Sequence, residues 1–471
     1  MAIVLSVIAG PHNGKEFIFD GHDTFLVGRA RNAHFRLDSK DEYFSRLQFI
    51  VEANFPKCRL IDLGSTNGTF VNGRRATVVD LHDGDLIQGG TTTIKVRVNH
   101  EAEAPISPTY SCIPEHTPSD ATNRQSSNFS ADTLELFPAG PSGDARAEEQ
   151  AGRICLMCKN TIPEICHQEL EAQADESGPK ICQICIQKAA TGSQPIQGYQ
   201  LIFELGRGGM GIVFLAVRDR DGSVVALKTI KPAAEARPGQ VQRFLREAEI
   251  LRKLEHPQIV KFRDLGESAG ILYFAMDYVA GTDADRLVAH TGPLAVERTV
   301  HLILQLLDAL EYAHKQGIVH RDIKPANLLV CSSGEKDRDV LRLVDFGLGR
   351  LYQTSQLSGL TLAGAVGGTL AFMPPEQLLD FHGALPASDQ YSAAATFYYL
   401  LTGRFIYDFP SNVSTKLRTI LETPPTPIRD HRQDIPETLA QVIERGLSKQ
   451  PHHRFDSIAA FRQALKEWKP S

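Results

Sequence analysis

The sequence predicts a multidomain chain: an all-β sandwich at the N-terminus, a small four-cysteine knuckle in the middle and an α+β domain at the C-terminus. Three observations predict it. Residues 1–100 alternate short apolar runs with turn signals. Two Cys-x-x-Cys pairs follow an acidic stretch rich in Pro and Ser. From Gly198 to Trp468, a glycine-rich loop, a strand ending in lysine, a helical segment and a polar cluster follow in order. The 471 residues leave room for several domains at roughly 150 residues each.

In residues 1–100 the strand-like runs are Ile3–Ile8, Glu16–Phe19, Phe25–Val27, Gln48–Val51, Arg59–Asp62, Thr69–Val71 and Thr92–Val98. Asn72-Gly73 is a tight-hairpin signal. Three polar clusters interrupt the strands: Gly28-Arg29, Ser45-Arg46 and Gly64-Ser65-Thr66-Asn67-Gly68-Thr69. An arginine plus neutral hydroxyl and amide donors, carried on loops at one end of a rigid sandwich, suits a phosphate. Together the clusters resemble the forkhead-associated (FHA) domain, a phosphothreonine-binding β-sandwich. The resemblance implies that Arg29, Ser45 and Thr66 contact the phosphate, with Arg46 assisting and Asn67 holding the peptide backbone. It also implies a histidine three residues after the serine, as a buttress, where this chain has Gln48. The plainer alternative is a sandwich whose Gly, Asn and Ser loops are only turns.

Residues 101–150 carry nine acidic and two basic side chains and little apolar periodicity. Such a composition cannot bury a core, so a disordered linker is expected. Thr117, with Asp120 three residues on, and Thr133, with Leu136, are candidate internal ligands for the sandwich; a plain spacer is the alternative.

Residues 151–192 hold Cys155-Leu156-Met157-Cys158 and Cys182-Gln183-Ile184-Cys185, with 23 residues between the pairs. Four thiolates suit tetrahedral zinc, and a site filled by protein is structural. Cys166-His167 offers a substitute ligand, and disulfides are the rival reading, disfavoured in a reducing compartment. The segment resembles a zinc ribbon. Cys58, Cys112 and Cys331 stand alone.

In the C-terminal region, Gly206, Gly208, Gly209 and Gly211 follow the strand-like Tyr199–Leu205. Glycines let backbone approach phosphates closely. By itself the loop fits a surface turn or a dinucleotide fingerprint equally well. Val225-Ala226-Leu227-Lys228 is a buried-strand pattern ending in a cation, and Val241–Leu254 has helical period with Glu247 on it. Then come His320-Arg321-Asp322-Ile323-Lys324-Pro325-Ala326-Asn327 and Asp345-Phe346-Gly347.

In this order these motifs resemble the serine/threonine protein kinases, especially bacterial enzymes of the eukaryotic type, over residues 198–468. The resemblance implies a two-lobed α+β fold and transfer of the γ-phosphoryl group of ATP to protein serine or threonine hydroxyls. Asp322 would accept the hydroxyl proton, with Lys324 beside it. Asn327 and Asp345 would hold Mg²⁺. Lys228 would pair with the ATP phosphates and be oriented by Glu247. Met276-Asp277-Tyr278-Val279 resembles the gatekeeper and hinge, so Asp277 and Val279 would read adenine, while Val213, Ala226 and Leu329 would sandwich the ring. Leu251, Phe262, His320 and Phe346 resemble the internal stack, Asp389 the aspartate that holds the catalytic loop, and Arg454 the partner of Glu376. The sequence departs from the family at Pro374-Pro375-Glu376, at Phe372, and in a long turn within Cys331–Val340. Arg321 before Asp322 implies phosphorylation of the activation segment, with Thr361 expected as the main site and Thr354 and Ser358 as competitors. Thr369 is expected to be structural, bridging Asp322 and Lys324.

The net charge of −6 gives no reason to expect a nucleic-acid partner. No apolar run reaches the roughly 18 residues of a membrane span, and Met1–Gly10 lacks a basic leader. A cytoplasmic enzyme is therefore expected. Its partners would be protein substrates and phosphothreonine-containing proteins, or its own phosphorylated segments. The alternative from another class is a phosphothreonine-reading scaffold with a non-catalytic kinase fold; intact Lys228, Asp322 and Asp345 speak against it.

Overall fold

The structure is a computed structural model. It describes residues 2–20, 23–37, 41–54, 57–99, 184–185, 192, 194–208, 211–230, 241, 244–246, 248–331, 339–346, 368–379 and 385–468. The acidic linker, Cys155, Cys158, Cys182, Gly209, Glu247 and Thr361 lie outside the described residues.

The N-terminal region is a two-sheet sandwich. One sheet runs β2 (Glu16–Asp20), β1 (Ala2–Ala9), β11 (Thr92–Asn99), β10 (Leu86–Gly89), β7 (Thr69–Val71) and β8 (Arg74–Ala76). The other runs β4 (Phe35–Arg36), β3 (Asp23–Gly28), β5 (Phe49–Asn54), β6 (Lys57–Asp62) and β9 (Val78–Asp80). Between them lies a dry core that includes Ile3, Leu5, Val27, Phe49, Val51, Leu60, Ile94 and Val96. Alternation along each strand sends these side chains inward. Asn72 and Gly73 both have positive φ, 51° and 76°, as a two-residue hairpin of the primed type requires. Strands β4, β8, β9 and β10 are not among the runs read from sequence. Each has two to four residues, too few to display a period.

The C-terminal region has two lobes. The smaller is a five-stranded antiparallel sheet ordered β12 (Tyr199–Gly208), β13 (Gly211–Arg218), β14 (Val224–Ile230), β16 (Ile271–Asp277) and β15 (Phe262–Ser268). The expected helix over Val241–Leu254 ends in a 3₁₀ turn at Glu249–Lys253. Of its apolar residues, Val241, Phe244, Ala248, Leu251 and Leu254 are buried and Leu245 is half-buried, while Ile250 is exposed.

The larger lobe begins at β17 (Thr282–Asp283) and α1 (Ala284–Thr291), whose N-cap Asp283 accepts from the Arg286 N–H. Helix α2 (Val296–Lys315) buries a stripe of Val296, Val300, Ile303, Leu307 and Leu310, spaced at helical period. A small sheet of β17, β18 (Leu328–Cys331) and β19 (Val340–Leu343) carries the catalytic-loop motif at its edge. There follow α3 (Pro375–Leu379), α4 (Pro386–Thr402), α5 (Val413–Glu422), α6 (Glu437–Gly446) and α7 (Ile458–Glu467). Helix α4 is buried on nearly every side and stops at Gly403, whose φ of 65° suits a left-handed cap. Among the described residues no helix is long and apolar enough to cross a membrane.

Candidate functional site

The cleft between the lobes is assembled from the strand pattern upward. On β14, Val225 and Leu227 point into the small-lobe core with Tyr199, Ala216 and Ala275. Alternation therefore turns Ala226 and Lys228 to the opposite face. Val213 pairs with Lys228 in register, and Ala226 pairs with Met276. This puts Val213, Ala226 and Lys228 on one patch beside the strand exit Asp277–Val279. Leu329 on β18 is likewise half-buried. Gly211, at φ 152°, closes the β12–β13 hairpin, and a Cβ there would lie 1.8 Å from the Thr229 carbonyl oxygen. That approach admits only glycine.

Lys228 Nζ lies 2.6 Å from Asp345 Oδ2, an ion pair that ties the small lobe to the large one. Burial alone would raise the Asp345 carboxyl, but Lys228, Lys324 and His320 together outweigh it and hold the group below its usual range. Lys228 is thus engaged by Asp345, while Glu247, its expected partner, is outside the described residues. Asp345 and Arg321 both adopt left-handed backbone, φ 62° and 68°. Such non-glycine positions cost on the order of 1 kcal/mol and persist where their surroundings fix them.

Those surroundings are visible. The Asp389 carboxylate, fully buried at the start of α4, accepts the backbone N–H groups of His320 and Arg321, each at 2.8 Å. His314 Nε2 lies 2.8 Å from the same carboxylate. Burial again would raise Asp389, and the His314 contact with these N–H donors brings it down instead. His320 is buried, accepts from the Asp322 N–H on Nδ1 at 3.3 Å and reaches the Val344 carbonyl with Nε2 at 3.0 Å. That pattern places its proton on Nε2. Its ring packs on Phe346 at 4.6 Å between centroids, with Leu251 and Phe262 in the same apolar cluster.

Asp322 is held from two sides. Lys324 Nζ lies 2.9 and 3.1 Å from its carboxylate oxygens. Asn327 Nδ2 donates to the Asp322 carbonyl at 2.7 Å and to Oδ2 at 3.1 Å. With its amide nitrogen so committed, Asn327 keeps an oxygen for a cation, and Asp345 is held ionised. Two oxygen donors of this kind fit magnesium. The constellation can activate a hydroxyl at Asp322 and neutralise phosphate charge at Lys228, Lys324 and a bound cation.

The sequence reading did not single out His314, Gln377 or Ser388. Gln377 Nε2 donates to the Arg321 carbonyl at 2.8 Å, and Ser388 Oγ to Glu376 at 3.0 Å. Their only signal is burial of a polar side chain, which needs the fold. Glu376 and Arg454 meet in a two-pronged pair at 2.6 and 2.8 Å, anchoring α3.

At the end of the sandwich the three polar clusters come together. A Cβ on Gly28 would lie 2.2 Å from the Arg46 carbonyl oxygen, so glycine alone lets the Arg29 strand approach the Ser45 loop. Arg29 N–H donates to the Ser45 carbonyl at 3.1 Å, and its Nε to the Phe44 carbonyl. Ser45 Oγ accepts from the Thr66 N–H at 3.0 Å, and Asn67 Nδ2 donates to the Tyr43 carbonyl at 2.9 Å. Gln48, wholly buried, accepts from the Ser45 N–H at 2.7 Å and donates to Gly68 O and Thr69 Oγ1 at 3.1 and 3.0 Å. It therefore links both loops, the buttress expected at this position. Asp62 shapes the second loop by accepting from Ser65 Oγ and Thr69 Oγ1 at 2.5 and 2.6 Å.

Of the four knuckle cysteines only Cys185 is described, and it is buried. Among the described residues no group of three or more His, Cys, Asp or Glu side chains is arranged to hold a metal.

Comparison with known proteins follows this division. The family model for the protein kinase domain matches residues 199–467, and that for the FHA domain matches residues 25–90. The chain is 35% identical over 276 residues to the serine/threonine-protein kinase pkn3 of Myxococcus xanthus, covering 57% of this chain and 49% of pkn3. It is 35% identical over 274 residues to the serine/threonine-protein kinase PknF of Mycobacterium tuberculosis, covering 57% of this chain and 56% of PknF. The chain thus spans about half the length of the curated relatives it matches. The solved PknI kinase domain of Mycobacterium tuberculosis aligns over 58% of this chain and 98% of its own, at 29% identity and a TM-score of 0.46.

Proposed function

The chain belongs to the protein kinase family, and we propose that it transfers the γ-phosphoryl group of ATP to serine or threonine hydroxyls of proteins. The observation that carries this reading is the convergence of Lys228, Asp322, Lys324, Asn327 and Asp345 on one cleft, with Lys228 and Asp345 2.6 Å apart across the lobes. Asp322 accepts the proton of the attacking hydroxyl while Lys324, 2.9 Å away, keeps the carboxylate oriented and neutralises charge beside it. Asn327 and Asp345 would hold magnesium, which when bound offsets the charge of the phosphates. Lys228, now paired with Asp345, would be released to neutralise the phosphates once a cation satisfied that carboxylate. Val213, Ala226, Leu329 and the backbone of Asp277 and Val279 form the adenine slot. Glu247 orients Lys228, and the glycine loop at Gly206, Gly208, Gly209 and Gly211 covers the phosphates.

Phosphorylation of Thr361 completes the activation segment, and Arg29, Ser45, Arg46, Thr66 and Asn67 of the FHA domain recruit phosphothreonine partners or the chain's own phosphorylated segments. Support for the second part is the joining of these loops through Ser45, Thr66 and Gln48. Cys155, Cys158, Cys182 and Cys185 hold a structural zinc, a reading supported by their spacing; metal analysis of wild type and Cys182→Ser tests it, equal zinc content counting against it.

Phosphosite mapping after incubation of wild type and Asp322→Ala with ATP and Mg²⁺ tests the central proposal. Phosphate in wild type alone, including Thr361, is expected. No phosphate in either protein, with ATP binding retained, would favour a non-catalytic scaffold.

A further inference from the structure

The FHA sandwich does not keep its second sheet to itself. On β3, β5 and β6 the inward side chains are Val27, Phe49, Val51 and Leu60. The outward ones include Leu26, Ile50 and Ile61, which lie side by side in register across the three strands. A solvent-facing row would be polar. These three are at 0% exposure and belong to the same buried cluster as the large kinase lobe. Strand β3 packs against α3, and Arg418 of α5 donates to the Gly64 carbonyl at 3.3 Å, on the loop that carries Thr66. The kinase lobe is therefore fixed beside the phosphate-reading loops.

That docking encloses a cleft of about 570 Å³. Arg29, Arg31, Arg36 and Arg46 line it on the sandwich side, and Leu421 and Glu422 on the kinase side. Four guanidinium groups face one carboxylate, itself paired with Arg418 at 3.0 Å. Arg29 and Arg46 are the arginines assigned above to the phosphate. Arg31 and Arg36 extend the positive field toward the lobe, where they attract further negative charge.

We propose that this composite cleft binds the acidic flank of a phosphothreonine peptide, so that the kinase lobe forms one wall of the FHA recognition site. The proposal rests on the phosphothreonine reading of Arg29. Phosphate occupies Arg29 and Arg46, and carboxylates beside the phosphothreonine pair with Arg31 and Arg36. Glu422 repels those carboxylates and so sets how acidic the flank can be, while Leu421 packs against the peptide. The chain's own segment around Thr117, with Glu115 and Asp120, has this chemistry and supplies the probe.

The test uses the full chain and two synthetic peptides spanning residues 111–123 with phosphothreonine at 117: one native, one with Gln and Asn in place of Glu115 and Asp120. Fluorescence anisotropy gives both affinities. Wild type is expected to prefer the acidic peptide by roughly fivefold, the scale of a few rim charge pairs. Glu422→Gln should raise that ratio about twofold with the melting temperature unchanged, and Leu421→Glu should lower it. Arg31→Ala with Arg36→Ala should bring the ratio to about one. If Arg29→Ala abolishes binding while the Glu422, Leu421 and Arg31/Arg36 variants leave the ratio at its wild-type value, the composite cleft is wrong and the phosphothreonine reading stands. If Arg29→Ala binds like wild type, the reading beneath it is wrong too.

Discussion

The two recognition centres of this chain are built on opposite principles. The loops proposed to read a phosphopeptide are joined by neutral hydrogen bonds through Gln48, Ser45 and Thr66 on one rigid sandwich. The catalytic cleft is joined by charge: Lys228 to Asp345 between lobes, Lys324 to Asp322 within one, and Arg454 to Glu376 beneath. A site that only binds is finished by packing and hydrogen bonds that stay as they are. A site that must admit ATP and release product is held by pairs whose partners can be exchanged for phosphate or a cation. The half-buried Asp345 carboxylate, kept ionised beside the very lysine that would leave it, shows the second design most plainly.

The largest way to break the comparison is at the catalytic base. Asp322→Ala should lower phosphoryl transfer by about 10²–10⁴-fold, measured as initial rate, and leave phosphopeptide affinity untouched. Next comes Arg454→Ala, which strands Glu376 and should cost about 3–5 kcal/mol of stability in denaturant titration. Because α3 also packs on β3, the sandwich should lose part of its support in the same transition.

The comparison is sharpened at Gln48. Gln48→Leu removes a buried hub with three hydrogen bonds and should weaken phosphopeptide binding by about 1–3 kcal/mol through misplaced Ser45 and Thr66 loops. Gln48→His, the family's usual residue, should retain most of the affinity. Calorimetry on both variants checks the pair.

The smallest effect is at a hairpin far from either centre. The Arg218 hydrogen bonds hold the Asp221 carboxyl well below its usual range. Its folded pKa lies below its unfolded one, so its contribution to stability is present above about pH 4 and fades as pH falls below it. Asp221→Asn should therefore cost under about 1 kcal/mol at neutral pH and nothing in strong acid, by thermal melts across that range.

How far the sequence reached follows from where residues sit. The residues from His320 to Asp345 are close in the chain, each with one task, so the cleft was legible as a run of letters. The Gly28, Ser45 and Thr66 loops were legible because close backbone approach and the donors that suit a phosphate restrict residue types. His314, Gln377 and Ser388 were not, because their partners lie 12 to 75 positions away and nothing local marks them. The short strands β4, β8, β9 and β10 carry no period to read. Docking of the sandwich did leave a trace: Phe25-Leu26-Val27, Phe49-Ile50-Val51 and Leu60-Ile61 are apolar on both faces, where a strand with one wet face alternates. Only the fold reveals what covers the outer row.

The central claim, that charge pairs assemble a working kinase cleft while hydrogen bonds through Gln48 join the proposed peptide-site loops, meets its most direct test in one variant with two readouts. Lys228→Met removes the interlobe pair and nothing in the sandwich. Phosphoryl transfer from ATP should fall by at least about 10²-fold while phosphothreonine-peptide affinity stays within error of wild type. Transfer at the wild-type rate in Lys228→Met would contradict the claim, because the cleft would then be doing its chemistry without the residue that joins it.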